Sequence, residues 1–174
     1  MPIGIIINVA IIMIIGVTAL LGLLNGAFKA IVGSIGWVGS FIAAVLLARA
    51  AAEWAMTLSF LSWMFEIAEV NAVFIGIVAL VLFGIFRAVF AIIMAIVRVF
   101  IPKNPPKGAS RIIGFVVGIF KGLCYVVIIL SFVYFATGIP WVRTEIVSKI
   151  DESNLAKPLY DLAVNMVNKL LGIA

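Results

Sequence analysis

Four apolar runs, at residues 3–24, 27–48, 72–95 and 112–137, take up more than half of the 174 residues and leave short polar gaps between them. Each meets the roughly 20 apolar residues that cross a hydrocarbon core about 30 Å thick. Inside lipid every backbone N–H and C=O needs an internal partner, so only helices and closed barrels span it. Barrel strands alternate apolar and polar residues, and these runs do not. The expected fold is therefore all-α: a four-helix transmembrane bundle. Two of the runs carry a cation deep within them and no acid, Arg87 in the third and Lys121 in the fourth. Ionisable groups at such depth are costly, which makes each a candidate functional residue.

Composition closes off the other classes. A chain that is 66% hydrophobic, with a mean hydropathy of +1.37, does not stay soluble as a monomer. The net charge of +5 is spread over the gaps and forms no nucleic-acid patch; basic clusters beside spans face anionic lipid head groups instead. With no histidine the commonest metal ligand and neutral-pH base is missing. Cys124 is the single cysteine, so one chain makes neither a disulfide nor a thiolate metal site. No cofactor or metal is expected. The start, Met-Pro-Ile-Gly, has no basic n-region and leads into a full-length run, which reads as a retained span.

Lysine and arginine positions set the expected orientation. The gap between spans three and four holds Arg98, Lys103, Lys107 and Arg111 with no acid, and so should face the cytoplasm. The gap between spans two and three sets Arg49 against Glu53, Glu66 and Glu69. The first turn contributes only Lys29. Alternation then leaves both termini outside the cytoplasm, with residues 1–138 as the spanning domain and 139–174 as an extracytoplasmic segment.

The gaps have their own character. Residues 51–70 place Trp54, Leu58, Leu61 and Phe65 at helical spacing, and Trp63 adds an amphipathic ring, so an interfacial helix is expected after span two. Pro102, Pro105, Pro106 and Gly108 break residues 101–110 into a loop. After Ser153, an N-cap candidate, Leu155, Leu159, Leu162, Met166, Leu170 and Ile173 recur every three or four positions. They predict a C-terminal amphipathic helix of about five turns, with Pro158 delaying or kinking its start.

Small residues mark where helices approach closely. Gly114, Gly118 and Gly122 fall one per turn in the fourth run; Gly22 and Gly26 end the first, and Gly36 and Ser40 lie in the second. Such stripes serve bundle packing, an oligomer interface or a thin-walled pathway. An echo links Gly22-Leu-Leu-Asn25-Gly26 with Gly118-Ile-Phe-Lys121-Gly122, and paired interruptions in two halves of a transporter can flank a site near the midplane. Alternatively both mark the cytoplasmic boundary. The last span would then run from Gly122 to Trp141, residues 112–120 would tuck beneath the bundle, and Lys121 would snorkel.

The hairpin from Asn8 through Asn25-Gly26-Ala-Phe-Lys29 to Trp37, and the segment Arg111-Ile-Ile-Gly114-Phe-Val-Val-Gly118-Ile-Phe-Lys121-Gly122, resemble the two signatures of the colicin V production (CvpA) family. The resemblance covers nearly the whole chain. It departs where family members commonly have an aspartate for Asn8 and an arginine for Asn25. It implies a bacterial inner-membrane protein with four spans, associated with bacteriocin production or export and with envelope homeostasis. Some relatives carry a periplasmic protease domain after the fourth span, which suits an outward C-terminus.

No catalytic constellation is present. Without histidine there is no triad of the usual kind, the acids sit in the gaps, and the one formal alternative is a dyad of Ser34 or Ser40 with Lys121. The chain is not expected to be an enzyme. Two readings follow. In the first it is a membrane scaffold or accessory subunit that holds a periplasmic or membrane partner, and homo-oligomerises, through its glycine faces, basic loop and C-terminal helix. In the second it is a small oligomeric channel or transport component for anions or amphipathic acids, lined by Asn8, Asn25, Arg87 and Lys121.

Overall fold

The computed structural model describes residues 3–57, 70–100 and 108–172. These are helical almost throughout, with no strand among them. Helix α1 runs Ile3–Met56, α2 Val70–Phe100 and α3 Gly108–Phe135. A 3-10 turn, Ala136–Gly138, and a π-helical stretch, Val142–Val147, lead into the short α4, Ser148–Asp151, and the last helix α5, Ala156–Leu171.

Among the described residues three helical stretches are long and apolar enough to cross a membrane: Gly4–Ala55, Val73–Ile96 and Gly108–Gly138. At 1.5 Å per residue α1 would extend about 80 Å if straight, far beyond a bilayer. It is not straight. Gly26 has φ 74° and ψ 169°, a conformation that a side chain at Cβ forbids. There the chain folds back, as neighbours along α3 show. Running up α3, Gly114, Gly118 and Gly122 meet Gly22, then Thr18 and Ala19, then Ile15, so the first arm is antiparallel to α3. Lys121 and Tyr125 meet Gly33 and Trp37, and Phe132 meets Phe41, so the second arm is parallel to it. Helix breaking leaves N–H groups without partners; that of Ala27 donates to Ser110 Oγ at 3.2 Å, tying the turn to the start of α3.

The glycine stripe lets α3 lie against the first arm at backbone distance. A Cβ on Gly22 would strike the carbonyl of Gly114, and one on Gly118 would sit 2.5 Å from the carbonyl oxygen of Thr18. Gly36 receives the ring of Phe90 from α2, and Ser40 Oγ donates to the Gly36 carbonyl at 2.6 Å. The echo between the two Gly-x-x-polar-Gly motifs does not extend to structure, because Gly26 breaks its helix and Gly122 continues through α3. Helix α3 is unbroken from Gly108 to Phe135, so residues 112–120 stand on the same helix as Lys121 and not on a separate segment.

Several boundaries shift. The second arm continues past residue 48 to Met56, and Arg49 and Glu53 pair at 3.2 Å on its exposed side. The expected interfacial helix falls mostly on 58–69, including Trp63, Phe65, Glu66 and Glu69, outside the described residues. Helix α2 extends to Phe100 and α3 begins at Gly108, so Arg98 and Arg111 stand on helices and not in a loop. Lys103 and Lys107 lie outside the described residues.

Helix α5 packs across the end of the bundle opposite Gly26. Its buried face is Ala156, Tyr160, Ala163, Val167 and Leu171, one residue on from the stripe read in the sequence. Leu155 and Leu162 are 43% and 54% exposed and only edge the contact; Ile173 lies outside the described residues. The small Ala156 and Ala163 let the helix come close, so contact centres on them and not on the leucines. Pro158 does not break the helix; α5 begins at Ala156 and not directly after Ser153, so the proline falls at its third position, which has no intrahelical N–H partner to lose.

Candidate functional site

The two cations of the spans converge. Arg87 lies on α2 and Lys121 on α3, and both end on one aromatic pair. The Arg87 guanidinium carbon is 5.2 Å from the Trp37 ring, the Lys121 Nζ is 5.5 Å from the Tyr125 ring, and the two ring centroids are 4.3 Å apart. Side chains on a helix lean toward its N-terminus, which draws Lys121 back toward Ser110 and the Gly26 turn. A Cβ on Gly33 would stand 3.1 Å from Nζ, so this glycine makes room for the ammonium.

Beside the pair lies a cavity of about 140 Å³ between the second arm of α1 and α2, lined by Lys29, Gly33 and Arg87 together with Phe28, Phe90 and Met94. Lys29, read in the sequence only as a loop charge, is thus the third cation of the site. Among the described residues none of the three forms an ion pair with a carboxylate. Magnitudes show the imbalance. Placing Lys or Arg at the centre of a span costs roughly 2.5–3.5 kcal/mol, an upper bound this close to the Gly26 turn, and a cation–π contact returns about 0.5–2 kcal/mol according to its exposure. The aromatic pair offsets part of the burial and leaves the site short of negative charge.

On the side away from Gly26 the same pair begins a continuous aromatic packing. Trp37 and Phe83 have centroids 5.4 Å apart, Phe83 and Phe132 6.0 Å, Phe41 and Phe132 5.9 Å, and Phe132 and Phe135 6.4 Å. With Val45, Ala48, Ala79 and Ile128 they fill the space between the second arm, α2 and α3. Cations occupy one half of this interhelical space and rings the other.

The asparagines lie elsewhere. Asn25 is exposed beside the turn. Asn8 Oδ1 accepts from Ser153 Oγ at 2.5 Å, and the same hydroxyl accepts from the Ala156 N–H at 2.9 Å, which caps α5. Ser153 is therefore both the cap and the clasp to the first arm. Tyr134 Oη donates to Asn168 Oδ1 at 2.8 Å along α5. At its far end Arg49 Nη1 donates to the Leu171 carbonyl at 3.4 Å, where Gly172 closes the helix with φ 67°. A cation there also meets the negative end of the helix dipole. Burial pushes the Tyr160 phenol above its ordinary range, and nearby Tyr134, Asp151 and Asp161 push it the same way. The hydroxyls of Ser34 and Ser40 donate to carbonyls of their own helix, at Ala30 and Gly36.

The sequence reading missed Trp37 and Tyr125 as members of the site. One signal was present: Tyr125 follows Lys121 by four residues and so stands on the same helix face. Trp37 carried no such signal, because its partners come from other helices.

Residues 7–164 match the family model described as colicin V production protein. The chain belongs to that family. It is a multi-pass membrane protein associated with colicin V production, built on apolar helices that can cross a bilayer. No curated protein and no solved structure matches it.

Proposed function

We propose that this family member works as a membrane scaffold or accessory subunit in bacteriocin production or export and in envelope homeostasis, and is not itself a pore. In this reading it crosses the inner membrane four times, the two arms of α1 counting as separate spans, with both termini outside the cytoplasm. The observation that carries it is the aromatic packing from Trp37 to Phe135, which fills the interhelical space beyond the cations. The glycine stripe is occupied by the chain's own first arm, which leaves other faces for partners or further copies.

A channel or transport component for anions or amphipathic acids is the second reading, favoured by Lys29 and Arg87 at one cavity with Lys121 against its Gly33 wall. Flux separates the two. Liposomes holding the purified protein should pass chloride and potassium no faster than empty liposomes. Anion-selective flux that is lost in Lys121→Glu would establish the channel and end the scaffold reading.

A further inference from the structure

We propose that the cavity beside Arg87 is a binding site for the phosphate of an anionic membrane lipid, held by Lys29, Arg87 and Lys121. Three features select this ligand. The first is charge: Lys29 and Arg87 line the cavity and the Lys121 Nζ stands against Gly33 of its wall, with no carboxylate paired to any of them among the described residues, so the occupant must supply the negative group. Arg87 offers a planar fork suited to two phosphate oxygens, and the ammoniums of Lys29 and Lys121 act as point charges around it.

The second feature is the wall. Phe28, Phe90 and Met94 line the rest of the cavity. Phe28 is itself 57% exposed, so the apolar wall continues onto the outer surface of the second arm. A soluble anion would have to cross that apolar surface; a lipid already lies against it and places its acyl chains there. The third feature is depth. Lys29 and Gly33 stand three and seven residues past the Gly26 turn, roughly 5 and 10 Å along the helix. Head groups and the upper acyl chains occupy about that layer.

The site does not depend on the scaffold reading: flux bears on that reading alone, and head-group binding bears only on this one. The test uses the full chain in detergent with Trp54, Trp63 and Trp141 replaced by Phe, so that Trp37 is the one tryptophan, excited at a wavelength the three tyrosines do not absorb. It is titrated with phosphatidylglycerol, with phosphatidylcholine of the same chains, and with inorganic phosphate. The expected result is a saturable change with phosphatidylglycerol, as Arg87 turns from the indole to the phosphate, at a concentration about tenfold lower than for phosphatidylcholine. Lys29→Gln, on an exposed side chain that the fold does not need, and Arg87→Gln should each weaken it about tenfold. Arg87→Lys, which keeps the charge and loses the fork, should fall between. Equal response to the two lipids, no saturable response, or wild-type affinity in Lys29→Gln would overturn the proposal. Inorganic phosphate binding as tightly as phosphatidylglycerol would overturn it too, since the site would then recognise a free anion and not a lipid.

Discussion

At the scale of single residues, glycine position separates contact from lipid. Gly118 and Gly84 both sit inside long apolar helices, and composition around them is similar. A Cβ on Gly118 would press on the backbone of Thr18 and Ala19, whereas one on Gly84 would meet nothing within 4 Å. Backbone atoms cannot rotate aside as a side-chain tip can. Gly118→Leu should therefore destabilise the protein by about 3 kcal/mol or more, the upper range for overpacking, and Gly84→Leu should leave it near wild type. Thermal unfolding in detergent measures both. Equal melting temperatures for the two variants would mean that the first arm and α3 are not held at backbone distance. The spacing of Gly114, Gly118 and Gly122 already predicted some close contact. It did not say with what, because a small-residue stripe looks the same whether its partner is the same chain or another.

At the scale of elements, legibility tracked how local the cause is. The break at Gly26, the cap at Ser153 and the helical runs themselves each follow from residues within a turn of one another. The buried face of α5 does not. A stripe of leucines sets the apolar side by residue size, but docking onto α3 is set by where small residues admit a neighbour, and Ala156 and Ala163 lie off that stripe. The clasp between Asn8 and Ser153, separated by 145 positions, was illegible for the same reason. It also ranks two substitutions. Ser153→Ala removes the α5 cap and leaves the half-buried Asn8 oxygen without its donor, at a cost of about 2 kcal/mol. Asn8→Ala keeps the hydroxyl on the Ala156 N–H and should cost about half as much. Hydrogen exchange along residues 156–171 should speed up in that order, Ser153→Ala most. The reverse order would place the stabilising partner of Ser153 somewhere other than the cap.

At the scale of the whole molecule, the two ends of the bundle differ in kind. One end gathers Lys29, Arg87 and Lys121 near the Gly26 turn, where α3 also begins with Arg111 in its first turns. The other end carries α4 and α5, whose charges mix both signs, with Lys157 Nζ of α5 3.8 Å from Asp151 of α4 and Lys149 of α4 3.0 Å from Glu145 just before it. An excess of Lys and Arg near the spans holds an end in the cytoplasm, and acids count for little in that rule. The cation-rich end should therefore face inward and α5 outward. Because α5 is clasped to the bundle at Asn8, Tyr134 and Arg49, its side of the membrane is that of the whole fold and not of a loose tail. Asp161 is exposed on α5, and replacing Cys124 with Ala leaves a cysteine-free background. In that background Asp161→Cys should react with a membrane-impermeant maleimide on intact spheroplasts, and Lys29→Cys only after lysis. Labelling in the opposite order would invert the molecule. It would also move the cation cavity to the outer leaflet, where anionic lipid is supplied differently and the head-group site would need another source of ligand.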